Sequence, residues 1–123
     1  MNTATRCLRV LVVDDEPLIR WSIAETLGAA GHHVTEAQDA ASTLHALADA
    51  QRPDLVLLDF RLPDSNDLGL LAKIRRIAPA TTVIMMTAFG TPDVTAGALE
   101  LGATKVLNKP FNMHDLEGVV RSL

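Results

Sequence analysis

Five short apolar runs alternate with five helical patterns along the chain, and this alternation restricts the possible folds more than any other feature. Short strands separated by helices predict a parallel sheet with right-handed crossovers and helices on both faces. The strongest runs are apolar almost throughout, which is typical of central parallel strands buried on both sides. The sequence therefore predicts a doubly wound α/β fold.

Local signals place the boundaries of these elements. Helices begin near proline or a polar capping residue, and they end near glycine or before proline. The predicted strands are residues 8–13, 33–37, 55–58, 82–86 and 105–107. The predicted helices are residues 17–30, 39–50, 66–77, 91–102 and 113–123.

Charge and composition exclude several classes of function. The net charge of −4 and the lack of any run of Lys or Arg argue against direct nucleic-acid contact. A single cysteine, Cys7, excludes an internal disulfide and favours a reducing compartment. The first six residues lack the apolar run of a signal peptide, and no stretch reaches membrane-spanning length. We therefore expect one cytoplasmic domain over residues 1–123, without membrane contact.

Polar residues follow four of the predicted strands where each strand ends. Asp14 and Asp15 follow the first strand, Asp59 the third, Thr87 the fourth and Lys109 the fifth. Ligands of doubly wound sheets bind outside the carboxyl ends of the strands, so these side chains should meet at one edge. A single acid at a strand end is more often a solvated turn residue than a site. The ordered set of acids, hydroxyl and amine predicts a functional site.

Three carboxylates at one edge predict a metal ion and a phosphoryl-transfer chemistry. The negative charges repel one another, and some of the groups would gain protons unless a cation lay among them. Mg²⁺ suits a few oxygen ligands together with phosphate oxygens, and phosphoryl transfer needs mainly positioning and charge neutralisation. Asp59 is the candidate nucleophile because it stands alone at the end of a central strand. Lys109 would add a second positive charge, and Thr87 a hydroxyl donor.

Four segments, LVVDDEP, PDLVLLDFRLPD, VIMMTAFG and LNKPF, resemble the response-regulator receiver family of two-component signalling over essentially the whole chain. The resemblance implies a flavodoxin-like, five-stranded parallel sheet in the order 2-1-3-4-5 with five helices. It implies that Asp59 accepts a phosphoryl group from a phosphohistidine of a sensor histidine kinase or phosphotransfer protein, and that conformational change relays the signal. Thr87 would be the switch hydroxyl and Lys109 the phosphate contact. Such a domain promotes its own phosphorylation and dephosphorylation without being a turnover enzyme.

The resemblance also implies a ligand set for Mg²⁺. Asp15, Asp59 and the backbone carbonyl of Arg61 would bind the ion directly, and Asp14 would bind it through water. The peptide bond between Lys109 and Pro110 would be cis, a conformation common only before proline.

Within the family, the IRW and MTAFGT segments are most similar to receivers of nitrogen-regulation-type, sigma-54-dependent transcriptional activators. Those proteins continue into an ATPase and a DNA-binding domain, whereas this chain stops after its last predicted helix. We therefore expect a receiver separated from its output domain, with a stand-alone receiver as the alternative. Homodimer formation on phosphorylation stays open, as do the cognate kinase and the stimulus.

Two departures from the family pattern bear on signalling. Val106 stands where receivers commonly carry Tyr or Phe as a rotameric switch, so we expect the signal to leave through the fourth helix instead. Gly97 lowers the intrinsic stability of that helix by about 1 kcal/mol relative to alanine. Asp67 replaces the usual glycine, which we expect to alter only the turn into the third helix.

Two apolar residues of the first helix are candidates for partner contact. Leu18 and Trp21 are expected to point away from the inner face of the first helix, where Trp21 would anchor a partner or simply lie on the surface. Phe89 and Arg61 are expected to border the acceptor site. The histidines lack metal-ligand spacing and are expected at the surface or at sheet edges: His32, His33, His45 and His114.

Three rival functions are less well supported. A flavodoxin-like cofactor module needs a Ser-, Thr- or Gly-rich phosphate loop after the first strand, but that loop is acidic here. A phosphohydrolase usually needs a second acid as general base beside the nucleophile, and Asp59-Phe60-Arg61 supplies none. A degenerate receiver that serves only as an interaction module would not need the complete acceptor set.

Overall fold

The structure, a computed structural model, describes residues 7–49, 51–65, 68–88 and 90–123. Its strands are β1 (Arg9–Val13), β2 (His33–Ala37), β3 (Leu55–Asp59), β4 (Thr82–Thr87) and β5 (Lys105–Asn108). The helices in these ranges are α1 (Pro17–Ala29), α2 (Ala40–Leu47), α3 (Gly69–Ile77), α4 (Pro92–Glu100) and α5 (Met113–Arg121). All strand pairs are parallel and the order is β2-β1-β3-β4-β5, so the predicted sheet is confirmed.

Two hydrophobic cores lie on opposite faces of this sheet. Successive side chains of a strand point to opposite faces, and accordingly Leu11 and Val13 of β1 join one core while Val10 and Val12 join the other. The first core includes buried residues of α2, α3 and α4, and the second includes buried residues of α1 and α5. Helices therefore cover both faces, which leaves the carboxyl edge of the sheet as the place where loops can build a site.

Local chemistry explains half of the helix ends. The side chains of Asp39, Thr91 and Asn112 accept hydrogen bonds from the first turns of α2, α4 and α5. Gly31 and Gly102 follow α1 and α4 with φ of +98° and +106°, a region that disfavours residues with a Cβ atom. No helix in the described ranges is long and apolar enough to cross a bilayer.

Several predicted boundaries need correction. The second helix was expected to reach residue 50 but ends at Leu47, the last residue of α2 that is buried, after which the chain turns towards β3. The third helix was expected from residue 66, yet α3 begins at Gly69. Asn66 and Asp67 lie outside the described residues, so the prediction about their turn is not tested. The last helix ends at Arg121, two residues early, while β3, β4 and β5 each extend one residue further.

The expectation for the histidines is wrong for one of them. His33, His45 and His114 are exposed, but His32 is buried and its Nδ1 accepts a hydrogen bond from the backbone N–H of Leu8 at 3.1 Å. The ring links the turn after α1 to the chain just before β1. Because that partner is a backbone group, no side-chain pattern in the sequence indicates the contact.

The outward face of α1 is as predicted. Ile23 and Leu27 are fully buried on the inner face of the helix. Leu18 is 74% exposed and Trp21 57% exposed, so both present apolar surface to solvent. Large exposed apolar side chains on one helix are candidates for partner contact.

Candidate functional site at the carboxyl edge of the sheet

The sheet register brings the predicted polar residues to one edge. Val13 pairs with Leu58, so Asp14 and Asp59, the next residues of their chains, lie side by side. Asp59 pairs with Met86, and Thr87 is the residue that follows Met86 at the end of β4. The backbone N–H of Lys109 donates to the carbonyl of Thr87 at 2.8 Å, which places the loop after β5 beside them.

Three carboxylates converge there as the sequence predicted. One oxygen from each of Asp14, Asp15 and Asp59 lies within 4.8 Å of the others. Asp14 is fully buried and Asp59 is 7% exposed, whereas Asp15 is open to solvent. An oxygen-only donor set of this size, with an open side for water or phosphate, fits Mg²⁺ better than it fits zinc.

Lys109 bridges the two buried carboxylates. Its Nζ donates to Asp14 Oδ2 at 2.8 Å and lies 3.3 Å from Asp59 Oδ2. Burial alone would lower the pKa of Lys109, but the hydrogen bond to Asp14 and the charges of Asp59 and Asp14 outweigh it and raise that pKa. The amine is therefore a fixed positive charge at the site. The peptide bond between Lys109 and Pro110 is cis, as the resemblance implied.

The carboxyl of Asp59 is harder to ionise than an ordinary aspartate. Burial and the negative charge of Asp14 raise its pKa from 3.8 to about 6, although Lys109 and the backbone N–H of Arg61 both favour the anion. Near neutral pH the group is mainly anionic and held against the repulsion of its neighbours. A nearby cation would relieve that repulsion and lower the pKa.

Backbone and side-chain contacts hold Asp14 in place. The backbone N–H of Glu16 donates to Asp14 Oδ1 at 2.9 Å, and Arg20 Nη1 donates to the backbone carbonyl of Asp14 at 2.6 Å. Arg20 also forms an ion pair with Glu36 through Nε at 2.9 Å. Sequence reasoning missed this role of Arg20. The available signal was an arginine one turn into a helix that directly follows the acidic strand end.

Thr87 and Arg61 are the remaining predicted site residues that the structure describes. Thr87 is 1% exposed and ends β4 at the same edge. Arg61 follows β3 by two positions, and its side chain is exposed. Phe89, expected to border the site, lies outside the described residues.

Comparison with known proteins gives a family match over nearly the whole chain. The family model described as "Response regulator receiver domain" matches residues 10–121. The DNA-binding transcriptional regulator NtrC of Escherichia coli is 38% identical over 111 residues, which is 90% of this chain and 24% of that protein. NtrC of Azospirillum brasilense is 36% identical over 98% of the chain and 24% of its own length. The chain thus spans about a quarter of these relatives, and the predicted similarity to nitrogen-regulation-type activators is confirmed.

Solved structures with the same fold agree with this match. A CheY-like receiver domain protein from Methanospirillum hungatei has a TM-score of 0.89 at 29% identity, covering 95% of this chain and 93% of that one. NtrX from Brucella abortus has a TM-score of 0.87 at 35% identity, covering 95% of this chain and 26% of that one.

Proposed function

Because this chain belongs to the response regulator receiver family, we propose that it accepts a phosphoryl group on Asp59 from a sensor histidine kinase or phosphotransfer protein. One observation carries the proposal: the buried carboxylate of Asp59 lies 3.3 Å from the Lys109 ammonium and within 4.8 Å of oxygens from Asp14 and Asp15. A nucleophile, an anchored cation and a metal-ligand set therefore share one open edge.

Mg²⁺ is the proposed cofactor. Asp15, Asp59 and the backbone carbonyl of Arg61 would bind it directly, and Asp14 would bind it through water. The bound ion supplies charge neutralisation for the carboxylates and for the incoming phosphoryl oxygens. Asp14 is the natural outer ligand, since both of its oxygens already accept hydrogen bonds, one from Glu16 and one from Lys109.

In the transfer itself, the chain supplies the nucleophile and two groups that contact the phosphoryl oxygens. A carboxylate oxygen of Asp59 forms a bond to phosphorus while the bond from phosphorus to the donor's imidazole nitrogen breaks, and the imidazole leaves with that electron pair. Lys109 balances charge on the phosphoryl oxygens, and the Thr87 hydroxyl donates to one of them. The domain thereby acts as a signalling module that promotes its own phosphorylation and later hydrolysis, without turning over a separate substrate.

We place the phosphodonor partner beside α1. A cavity of about 390 Å³ lies next to Lys109 and is lined by Ile19, Phe111 and Met113 among others. The exposed side chains of Leu18 and Trp21 stand on the same helix as Ile19. A partner that presents a phosphohistidine to Asp59 would cover the cavity next to Lys109, and the exposed Trp21 would anchor that partner on the outer face of α1.

The output route is proposed to run through α4. Val106 is half-buried and has no aromatic ring to swing between positions. Within α4, Ala98 is the one buried residue. Few buried contacts leave this helix free to shift at low cost. A beryllofluoride-bound structure in which α4 keeps its free position would refute this route.

We propose that residues 1–123 form one phosphoacceptor domain that works in the cytoplasm. The domain would regulate transcription through an output domain and would not itself contact nucleic acid. A homodimer formed on phosphorylation is part of the same proposal. The single cysteine, which is free, and the net charge of −4 support this setting.

The test is phosphorylation of the purified chain with acetyl phosphate and Mg²⁺, read by intact mass and by size-exclusion chromatography. We expect the native protein to gain one phosphoryl group and the Asp59→Asn variant to gain none. Chelation of the metal should abolish the gain. A label that persists in Asp59→Asn, or that maps to another residue, would contradict the proposal.

A further inference from the structure

The loop between β3 and α3 is attached to the start of α2 by a side chain. Oδ1 of Asp64 accepts the backbone N–H of Ala40 at 2.7 Å, and Oδ2 accepts the N–H of Ala41 at 3.1 Å. The two segments are 24 and 23 residues apart in sequence. This is therefore a tertiary contact between the loop after β3 and the first turn of α2, rather than a local turn.

The contact completes the set of partners at the beginning of α2. The first backbone N–H groups of a helix have no partner within the helix. Asp39 accepts the N–H of Ser42 at 2.8 Å, whereas the two preceding N–H groups are the ones bound by Asp64. The carboxylate charge also suits the positive end of the helix dipole. Both oxygens of Asp64 are thus committed to α2.

Asp64 itself lies in a short turn that is closed by backbone hydrogen bonds. Leu62 and Ser65 exchange backbone hydrogen bonds at 2.8 and 3.2 Å, with Asp64 between them, and Leu62 is buried in the core. On the other side of Arg61, the N–H of Phe60 donates to the carbonyl of Met86 at 2.8 Å. Arg61 therefore lies between two fixed points, one on the sheet and one on the turn held by Asp64.

The orientation of Arg61 matters to the acceptor site. Its backbone N–H hydrogen-bonds to the Asp59 carboxylate, and its carbonyl is the proposed third metal ligand. A rotation of the turn at residues 62–65 would change both groups together, because they belong to adjacent peptide units.

We propose that Asp64 is a positioning residue for the metal site, which holds the Arg61 backbone in its ligand geometry by clamping the turn after β3 to the N-terminus of α2. The proposal rests on the proposed function and extends it to a residue that contacts neither metal nor phosphoryl group. Outer contacts that orient metal ligands commonly change affinity by about 10- to 100-fold when removed. A single clamp at one of three ligands belongs at the low end of that range.

The experiment measures Mg²⁺ affinity by calorimetry for the native chain, Asp64→Ala, Asp64→Asn and Asn112→Ala. The last is a matched control, since Asn112 caps α5 through a hydrogen bond of 2.7 Å from Asp115 and lies outside the metal site. We expect Asp64→Ala to weaken Mg²⁺ binding about tenfold. Asp64→Asn keeps one good acceptor and should stay within about threefold of native affinity. Asn112→Ala should bind Mg²⁺ as the native chain does.

A second readout needs no metal. Amide hydrogen exchange at residues 61–65 in the metal-free protein should accelerate in Asp64→Ala and stay at the native rate in Asn112→Ala. Native Mg²⁺ affinity in Asp64→Ala, or equal weakening in Asn112→Ala, would overturn the role of Asp64 while leaving the proposed function intact. Failure of the proposed function is visible separately, as an absence of Mg²⁺ binding by the native chain.

Discussion

Replacing Asp59 by asparagine should stabilise the metal-free protein, and by an amount that depends on pH. The native structure raises the pKa of Asp59 from 3.8 to about 6 through burial and the charge of Asp14. At 1.36 kcal/mol per pH unit, this difference corresponds to about 3 kcal/mol. Asparagine is close in shape and uncharged, so the variant escapes that cost.

The direction of this pH dependence follows from the number of protons that each state binds. Between the unfolded pKa near 4 and the native pKa of about 6, the native state binds more protons at Asp59 than the unfolded state does. The contribution of Asp59 to the free energy of unfolding therefore falls as pH rises from about 4 to about 6. Above the native pKa, the destabilisation by the ionised carboxylate has reached its full value. The advantage of Asp59→Asn should be below about 1 kcal/mol near pH 4 and rise to about 3 kcal/mol near pH 7.5.

Urea unfolding of both proteins in a chelating buffer, at several pH values, measures this difference directly. Titrating groups away from the site are common to the two proteins and largely cancel. Saturating Mg²⁺ should narrow the difference near pH 7.5, because a bound cation stabilises the ionised Asp59. A difference that is independent of pH, or a variant less stable than the native protein near pH 7.5, would refute the electrostatic reasoning.

Two further predictions concern the ammonium group of Lys109 and the exposed face of α1. Lys109→Met should lower the free energy of unfolding in metal-free buffer by about 3 kcal/mol, because fully buried Asp14 loses its ion-pair partner; urea denaturation tests this, and a loss below about 1 kcal/mol would contradict it. Trp21→Ala should slow phosphoryl transfer from the cognate kinase but not from acetyl phosphate, whereas Leu99→Ala, at an exposed position on α4, should change neither rate. Equal slowing with both donors would exclude a docking role for Trp21.

The convergence of these polar residues at one edge could be predicted because it depends only on where strands end. Asp14, Asp59 and Thr87 are each identified by the apolar run that precedes them, and a parallel sheet brings the ends of its strands to one edge. The cores could be predicted for the same reason, since the apolar positions of β1 and α1 repeat with the periods of strand and helix.

Contacts to backbone groups could not be predicted in this way. Arg20 binds the carbonyl of Asp14, His32 accepts the N–H of Leu8, and Asp64 accepts two amides of α2. Each partner is a peptide group that every residue type carries, so the sequence contains no complementary side chain to reveal the pair. The early end of α2 at Leu47 could not be predicted either. The alanines around this position favour a longer helix, and tertiary packing overrides that propensity.

The central claim is that a divalent cation binds among the three carboxylates and offsets their mutual repulsion. Calorimetric titration of the native chain with Mg²⁺ at several pH values tests this claim directly. One ion per chain should bind, and because a proton on Asp59 competes with it, affinity should fall about tenfold per pH unit below the native pKa of about 6. Absence of Mg²⁺ binding near neutral pH, or an affinity that does not change across that pKa, would contradict the account.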